Sequence, residues 1–445
     1  MRMWLFLPAC AALLVLGILG AGCVNGTPGD QNPAATPQAP PQPQPPGETP
    51  PAGMPSAYGE AKTVVGANDQ FAFDMYTNLR SGSQNQESNI FFSPFSVSSA
   101  LALTYEGARG KTADEIASVL HVPKNDTLRR QQFRDINAGI NTKDPSYTLD
   151  TANALWAEKT YTFLPDYLQT AREFYSADAT NLDFITAPDV SRGTINTWVA
   201  GKTGGKIAGL LPQGSIIPST RLVITNAVYF YGFWKYPFLA SDTRPAKFTV
   251  SPGTVVDVSM MTQTNETLLF NYMETNSLQM VEMPYTHTTG KELSMLVILP
   301  RGDNMSVVEN SLDAGQISGM RDALRPRLVD IYIPKFRLDT QYDMGSSLKT
   351  MGMPTAFSGQ SDLSGMDGSR NLSISTVIHK AYVDVDEKGT QATAATVVGM
   401  VAMGIGPRTP PVPVIFRADH PFLFMIEDRE SGNILFMGRV MNPNA

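Results

Sequence analysis

Past position 23 this chain has no cysteine: its only two, Cys10 and Cys23, lie near the N-terminus of a 445-residue sequence. The remainder therefore carries no disulfide framework, no thiol nucleophile and no cysteine metal site. Histidine is almost as scarce. His121, His287, His379 and His420 stand far apart, and none belongs to an H-E-x-x-H arrangement. The G-x-S-x-G nucleophile elbow, the G-x-G-x-x-G turn and the phosphate-binding loop are missing too. Ser93, His379 and Asp384 could be assembled on paper into a hydrolase triad, but hydrogen bonding within the fold is the simpler reading of three such groups. No metal and no cofactor is expected. The formal net charge is −7, and the sequence lacks the basic stripe that marks nucleic-acid binders.

Long apolar runs are absent with one exception. Arg2 precedes an apolar stretch from Leu5 to Leu19. It is shorter than the ~20 residues a bilayer requires, so residues 1–22 read as a signal peptide. Gly20, Ala21 and Gly22 before Cys23 resemble a lipoprotein processing site of prokaryotic type, although Leu19 sits one place farther from the cysteine than usual. Cys23 would then be the lipidated first residue of the mature chain, with plain secretion as the alternative. Either way the protein is expected to be secreted or at the cell surface. Residues 23–60 include PQAPPQPQPPGETPPAG, which has no apolar periodicity and cannot bury a core. Pro-rich linkers of this kind extend at ~3.1 Å per residue.

One ordered domain is expected over residues 61–445. Ala72, Met75, Tyr76 and Leu79 recur at i, i+3, i+4, i+7 and predict an amphipathic helix. A second helix is expected to follow the segment NIFFSPFSVSSALALTYEGARG. Thr112 and Glu115, at capping-box spacing ahead of Ile116, Val119 and Leu120, predict the start of a third. The pattern then becomes β-rich and strongly apolar in LVITNAVYFYGFW (222–234), LSMLVILP (293–300), VDIYIPKFRL (329–338), PFLFMIED (421–428) and ILFMGRV (434–440). Helices first, long strands later and no βαβ alternation predict the α+β class.

Several segments taken together resemble the serpin family over nearly all of the chain beyond Ala61. They are NIFFSPFSVSSALA (89–102), TNAVYFYGFWKYPF (225–238), VEMPY (281–285), IPKF (333–336) and SDLSGM (361–366). The strongest is IHKAYVDVDEKGTQATAATV (378–397), followed by FRADHPFLFMI (416–426) and ILFMGRVMNP (434–443). The resemblance implies three β-sheets with eight to nine helices and an exposed reactive-centre loop. It also implies a monomeric suicide-substrate inhibitor of serine proteases, which traps the acyl-enzyme by inserting the cleaved loop into the central sheet. The resemblance places a polar cluster where that sheet parts at Ser93, Ser96, Asn226 and His379, and the site of first loop insertion at Trp234 and Lys235. A serpin-fold binding protein without inhibition is the alternative.

The loop itself can be read physically. From Thr390 to Gly406 there is neither charge nor proline, so every backbone N–H can pair in a sheet. Strand side chains alternate, so an inward Thr390 takes Ala392, Ala394 and Thr396 inward with it. These are small enough to enter a packed layer. The hinge begins at Glu387, and Gly389 supplies the turn. Departures from the family pattern are Gln391 for the usual Glu and Thr393 for the usual Ala. Family spacing puts the reactive bond at Met403–Gly404, fourteen residues past Gly389. Counting back eleven from Pro421 gives Pro410 instead, so this loop is longer than usual. Pro407, Pro410, Pro411 and Pro413 cannot donate ladder hydrogen bonds, which favours Met403–Gly404 over the rival Arg408–Thr409. Met403 after Val401 and Ala402 suits elastase-, chymotrypsin- or subtilisin-like proteases, and Arg408 would suit trypsin-like ones.

Overall fold

A computed structural model describes residues 63–82, 87–302, 305–389 and 412–445. The first half of the fold holds α1 (Val64–Ser81), β1 (Ile90–Phe92), α2 (Pro94–Gly107), α3 (Gly110–Leu120), α4 (Asp126–Ile140), β2 (Tyr147–Glu158), α5 (Pro165–Tyr175), β3 (Asp178–Leu182), α6 (Pro188–Lys202) and β4 (Leu222–Gly232). Strands then dominate, with β5 (Arg244–Ser251), β6 (Thr254–Gln263), β7 (Leu269–Glu274), β8 (Leu278–Pro284) and β9 (Leu293–Pro300). The last part contains α7 (Met305–Ser311), α8 (Ala314–Ala323), β10 (Arg325–Pro334), β11 (Phe336–Asp343), α9 (Gly345–Met351), α10 (Ser364–Asp367), β12 (Ile374–Val385), β13 (Val414–Arg417), β14 (Phe422–Asp428) and β15 (Ile434–Val440).

The sheets position everything that follows. Five strands form one sheet in the order β11-β12-β4-β2-β3. The remainder run β1-β15-β14-β9-β8-β7-β10-β6-β5, with β13 beside β10. That longer assembly is two sheets sharing β10. Its first residues, Arg325 to Leu328, pair with β7, and Ile331 to Pro334 pair with β6. The described residues thus form three sheets, as expected. The described residues contain ten α-helices rather than eight or nine, one of them the single turn α10.

Both faces of the five-stranded sheet are covered. Leu222, Ile224, Val228 and Phe230 of β4 join the main core, whereas Val223, Ala227 and Tyr229 join a second core with Ile195 and Val199 of α6. Alternate residues therefore meet different apolar layers, which is why LVITNAVYFYG does not alternate and is apolar on both sides of Thr225 and Asn226. Beneath the inner face runs α2, buried along almost its whole length. Ser93 caps it by accepting the Ser96 N–H, and Pro94 occupies its first turn, where a missing N–H costs nothing.

Four sequence expectations need correction. The second helix, α2, lies inside the 89–110 segment and does not follow it. Thr112 and Glu115 form no capping box: α3 starts earlier, at Gly110, and Arg109 makes no side-chain cap. Their side chains serve distant partners instead, Thr112 Oγ1 accepting the Asp362 N–H and Glu115 accepting from Thr355. The stretch 329–338 is two strands in different sheets, broken at Lys335. One βαβ unit does exist, because β2 and β3 pair in parallel across α5.

Candidate functional site

The centre of the five-stranded sheet is an unusual seam. β4 and β12 lie side by side in parallel, although one precedes the other by more than a hundred residues. Their register runs from Ile374–Leu222 to Tyr382–Tyr229, with a bulge between Ile374 and Thr376. It stops three residues before Val385 and three before Gly232, where the two strands end. The upper end of the seam is therefore notched.

A row of polar groups crosses the seam on the inner face. His379 of β12 stands opposite Asn226 of β4, and Asn226 stands opposite Asn153 of β2. Asn226 Oδ1 accepts from His379 Nδ1, while Asn226 Nδ2 donates to Asn153 Oδ1 and to Ser96 Oγ. Ser96 Oγ in turn donates to Asn153 Oδ1 at 2.9 Å. The Ser93 backbone N–H donates to His379 Nε2 at 3.0 Å. A backbone N–H can only donate, so Nε2 must be the bare nitrogen and Nδ1 carries the proton. Burial holds this imidazole neutral, pushing its pKa down from 6.5 to about 3. Ser93, Ser96, Asn226 and His379, expected to cluster where the sheet parts, are brought together. Asn153 was not foreseen; its neighbours in TLDTANALWAE give no sign that it faces inward.

The same geometry removes the paper triad. Ser93 Oγ donates to the Leu435 carbonyl at 2.7 Å and so is not aimed at the imidazole. On β12, odd-numbered residues such as His379, Ala381 and Val383 are buried, and Asp384 lies on the opposite face. Among the described residues no group of three or more His, Cys, Asp or Glu side chains could hold a metal ion.

Above the notch β12 ends in a tight turn. Gly389 N–H donates to the Asp386 carbonyl at 3.2 Å, and the two residues form an antiparallel bridge. Gly389 has φ +84, and a Cβ there would lie 2.3 Å from the Gly232 carbonyl oxygen and 2.4 Å from the Trp234 nitrogen. Both the conformation and the close approach demand glycine. Trp234 stacks on Tyr285 with centroids 4.5 Å apart, and its Nε1–H donates to the Asp386 carbonyl at 3.0 Å. The Trp234 N–H donates to Lys388 O, and the Phe238 N–H to Glu387 O. Trp234 therefore touches the turn directly, whereas the Lys235 N–H is turned to Pro284 O.

Glu387 fixes the turn from the other side. Its carboxylate takes Lys335 Nζ at 2.8 Å and the Thr243 hydroxyl at 2.9 Å. Partial burial opposes ionisation of Glu387, but the Lys335 and Thr243 hydrogen bonds outweigh it and hold its pKa below the usual value. Asp386 shifts the other way, raised chiefly by burial. The partners Lys335, Thr243 and Tyr285 were not singled out in the sequence, although IPKF and VEMPY contain two of them. Thr390, Ala392, Ala394, Thr396, Met403, Gly404, Arg408 and Thr409 lie outside the described residues, as does Cys23.

Comparison with known proteins agrees with this architecture. The sequence pattern of the family described as "Serpin (serine protease inhibitor)" matches residues 66–443. An uncharacterized serpin-like protein of Thermococcus kodakarensis is 44% identical over 386 residues, covering 86% of this chain and 87% of that one. The leukocyte elastase inhibitor of Bos taurus is 39% identical over 388 residues, covering 85% and 98%. Human thyroxine-binding globulin, solved with its hormone bound, superposes with a TM-score of 0.75 at 28% identity, covering 86% of this chain and 99% of that structure.

Proposed function

Since the chain belongs to the serpin family, we propose that it is a suicide-substrate inhibitor of serine proteases and not an enzyme. The observation that carries this reading is the Asp386–Gly389 turn at the head of the notched parallel seam. A segment leaving that turn runs antiparallel to β12, and therefore also to β4, because those two strands are parallel. Inserting it replaces one parallel pairing by two antiparallel ones, which are slightly more stable per residue. Continuing the Asp386–Gly389 bridge sets Val385 opposite Thr390, Val383 opposite Ala392, Ala381 opposite Ala394 and His379 opposite Thr396. Directly opposed residues share a face. The buried face of β12 would therefore receive Thr390, Ala392, Ala394 and Thr396, all small.

The same register bears on the reactive bond. It pairs Ile374, the first residue of β12, with Val401, so the strand is used up just before Met403. The protease serine would attack the Met403 carbonyl, the Met403–Gly404 bond would break, and Gly404 would leave as the amine. Insertion then carries the protease, esterified to Met403, to the far end of the sheet before water can release it. Cutting at Arg408–Thr409 would leave five further residues, about 17 Å of slack at ~3.3 Å each. It would also bring Pro407 toward the ladder. Elastase-, chymotrypsin- or subtilisin-like proteases are the targets this bond suits. Export through residues 1–22 and a lipid on Cys23 would hold the inhibitor at a cell surface, which an acyl mass on the mature N-terminus would demonstrate.

Incubation with elastase, chymotrypsin, subtilisin and trypsin tests the proposal. An inhibitor gives an SDS-stable adduct of protease and truncated chain. A cut loop with no adduct would overturn it. The likeness to thyroxine-binding globulin would then favour a binding protein of the same fold.

A further inference from the structure

The inner face of the seam is tied by the His379–Asn226 contact, but the outer face is tied differently. Its cross-strand pairs are Thr376–Val223, Ile378–Thr225, Lys380–Ala227 and Tyr382–Tyr229. The last is the largest, with ring centroids 5.7 Å apart and planes at 30°. It is also the topmost pair of the register, directly below the notch. Tyr229 continues the contact upward to Tyr231 at 6.3 Å. From the segment after α6, Lys206 reaches over Tyr229, its ammonium 5.5 Å from the ring centre.

We propose that Tyr229 and Tyr382 form a latch across the outer face of the seam, and that this latch sets how fast the sheet opens. The inference rests on the insertion reading given above. A sheet that parts from its notched end must separate this pair first. Admitting one strand moves β4 and β12 apart by about 4.8 Å, the spacing of one added strand. Residues 390–392 would pair within the notch beside Val385 to Val383, but insertion past them requires the rings to separate. Lys206 adds a cation over one ring only, so it stiffens Tyr229 without bridging the seam. Aromatic pairs contribute beyond their buried area, by an amount that corresponds to about two- to tenfold in the opening rate. The two tyrosines are positioning residues: they touch neither protease nor reactive bond.

Tyr382→Val tests the latch, because valine suits a strand and removes the ring together with its hydroxyl, which donates to Asp384 Oδ2 at 3.4 Å. Tyr382→Phe keeps the ring and is expected to behave as the unaltered protein. Three readouts are compared: inhibitor molecules consumed per protease trapped, the rate of spontaneous activity loss on warming, and the Tm before and after loop cleavage. The latch requires Tyr382→Val to consume fewer molecules per protease and to lose activity about two- to tenfold faster. Its uncut form should melt lower, while its cleaved form should melt with the cleaved unaltered protein, since the rings are already apart there. Equal losses of Tm in both forms would mean that Tyr382 only supports the core, and would overturn the latch. An unchanged consumption ratio would overturn it as well. If the unaltered protein itself neither forms an adduct nor gains stability on cleavage, the insertion reading fails first and takes the latch with it.

Discussion

On one side β4 pairs antiparallel with β2 at every residue from Leu222 to Gly232; on the other it pairs in parallel with β12 only as far as Tyr229, past a bulge. The upper ends differ even more. Beside the β2 seam, Asp144 accepts N–H groups from Ser146, Thr288, Thr289 and Gly290, and the Tyr147 hydroxyl accepts that of Lys291. Partial burial opposes the Asp144 charge, yet these four donors prevail and pull its pKa down to about 2. That seam is sewn shut and charge-assisted at its end. Beside the β12 seam there is a gap with a glycine turn poised over it. On the proposed function, one strand thus has a permanent border and a border that can part, and only the second borders the chain that leads to the loop.

The sharpest way to break this comparison is to block the parting border chemically. Thr390→Arg would oblige an unpaired charge to enter the inner face with the first inserted residue, which costs several kcal/mol even after relaxation. A barrier higher by ~3 kcal/mol slows insertion more than a hundredfold, while deacylation proceeds as before. Inhibitor consumed per protease trapped should rise steeply, with the cut site unchanged by mass spectrometry. An unchanged ratio would mean that Thr390 enters no sheet.

Acid should weaken the same border as well. His379 is kept neutral in the fold, its pKa lowered from 6.5 to about 3. Its contribution is therefore complete above pH 6.5 and is lost as pH falls toward 3, by up to ~1.4 kcal/mol per pH unit. A proton on Nε2 would set one donor against the Ser93 N–H. Asp69 and Glu427, raised by burial to about 6 and about 7, act oppositely and add stability as pH falls through that range. The informative quantity is thus the difference between the unaltered protein and His379→Gln, measured by denaturant unfolding from pH 7 to 4. That difference should shrink steadily with acidity; a constant difference would show that His379 does not titrate in this way.

The smallest effect should come from the permanent border. Asp144→Asn replaces one charged acceptor by an amide and should lower stability by about 1–2 kcal/mol. Because that seam does not part, the consumption ratio should stay where it was. A raised ratio would erase the distinction between the two borders.

How much of this could be read from the sequence depends on the range over which each signal acts. The α1 helix is announced by Ala72, Met75, Tyr76 and Leu79, since packing one face against the core is a local pattern. The run LVITNAVYFYG announces a strand covered on both faces. Thr112 and Glu115 misled because their spacing is local but their partners, Asp362 and Thr355, are some 240 positions away. Lys335 marks a break between two sheets and also pairs with Glu387, and neither fact has a local signature. Asn153 and Asp144 became interpretable only once β2 was set beside β4 and the Thr288–Gly290 turn.

The central claim is that the uncut protein keeps a seam ready to accept its own loop. Cleaving the loop at Met403–Gly404 and comparing Tm before and after tests it most directly. Insertion adds a central strand between β4 and β12, so the cleaved protein should melt well above the uncut one. An unchanged or lower Tm after cleavage would show that the seam does not open, and would contradict the account.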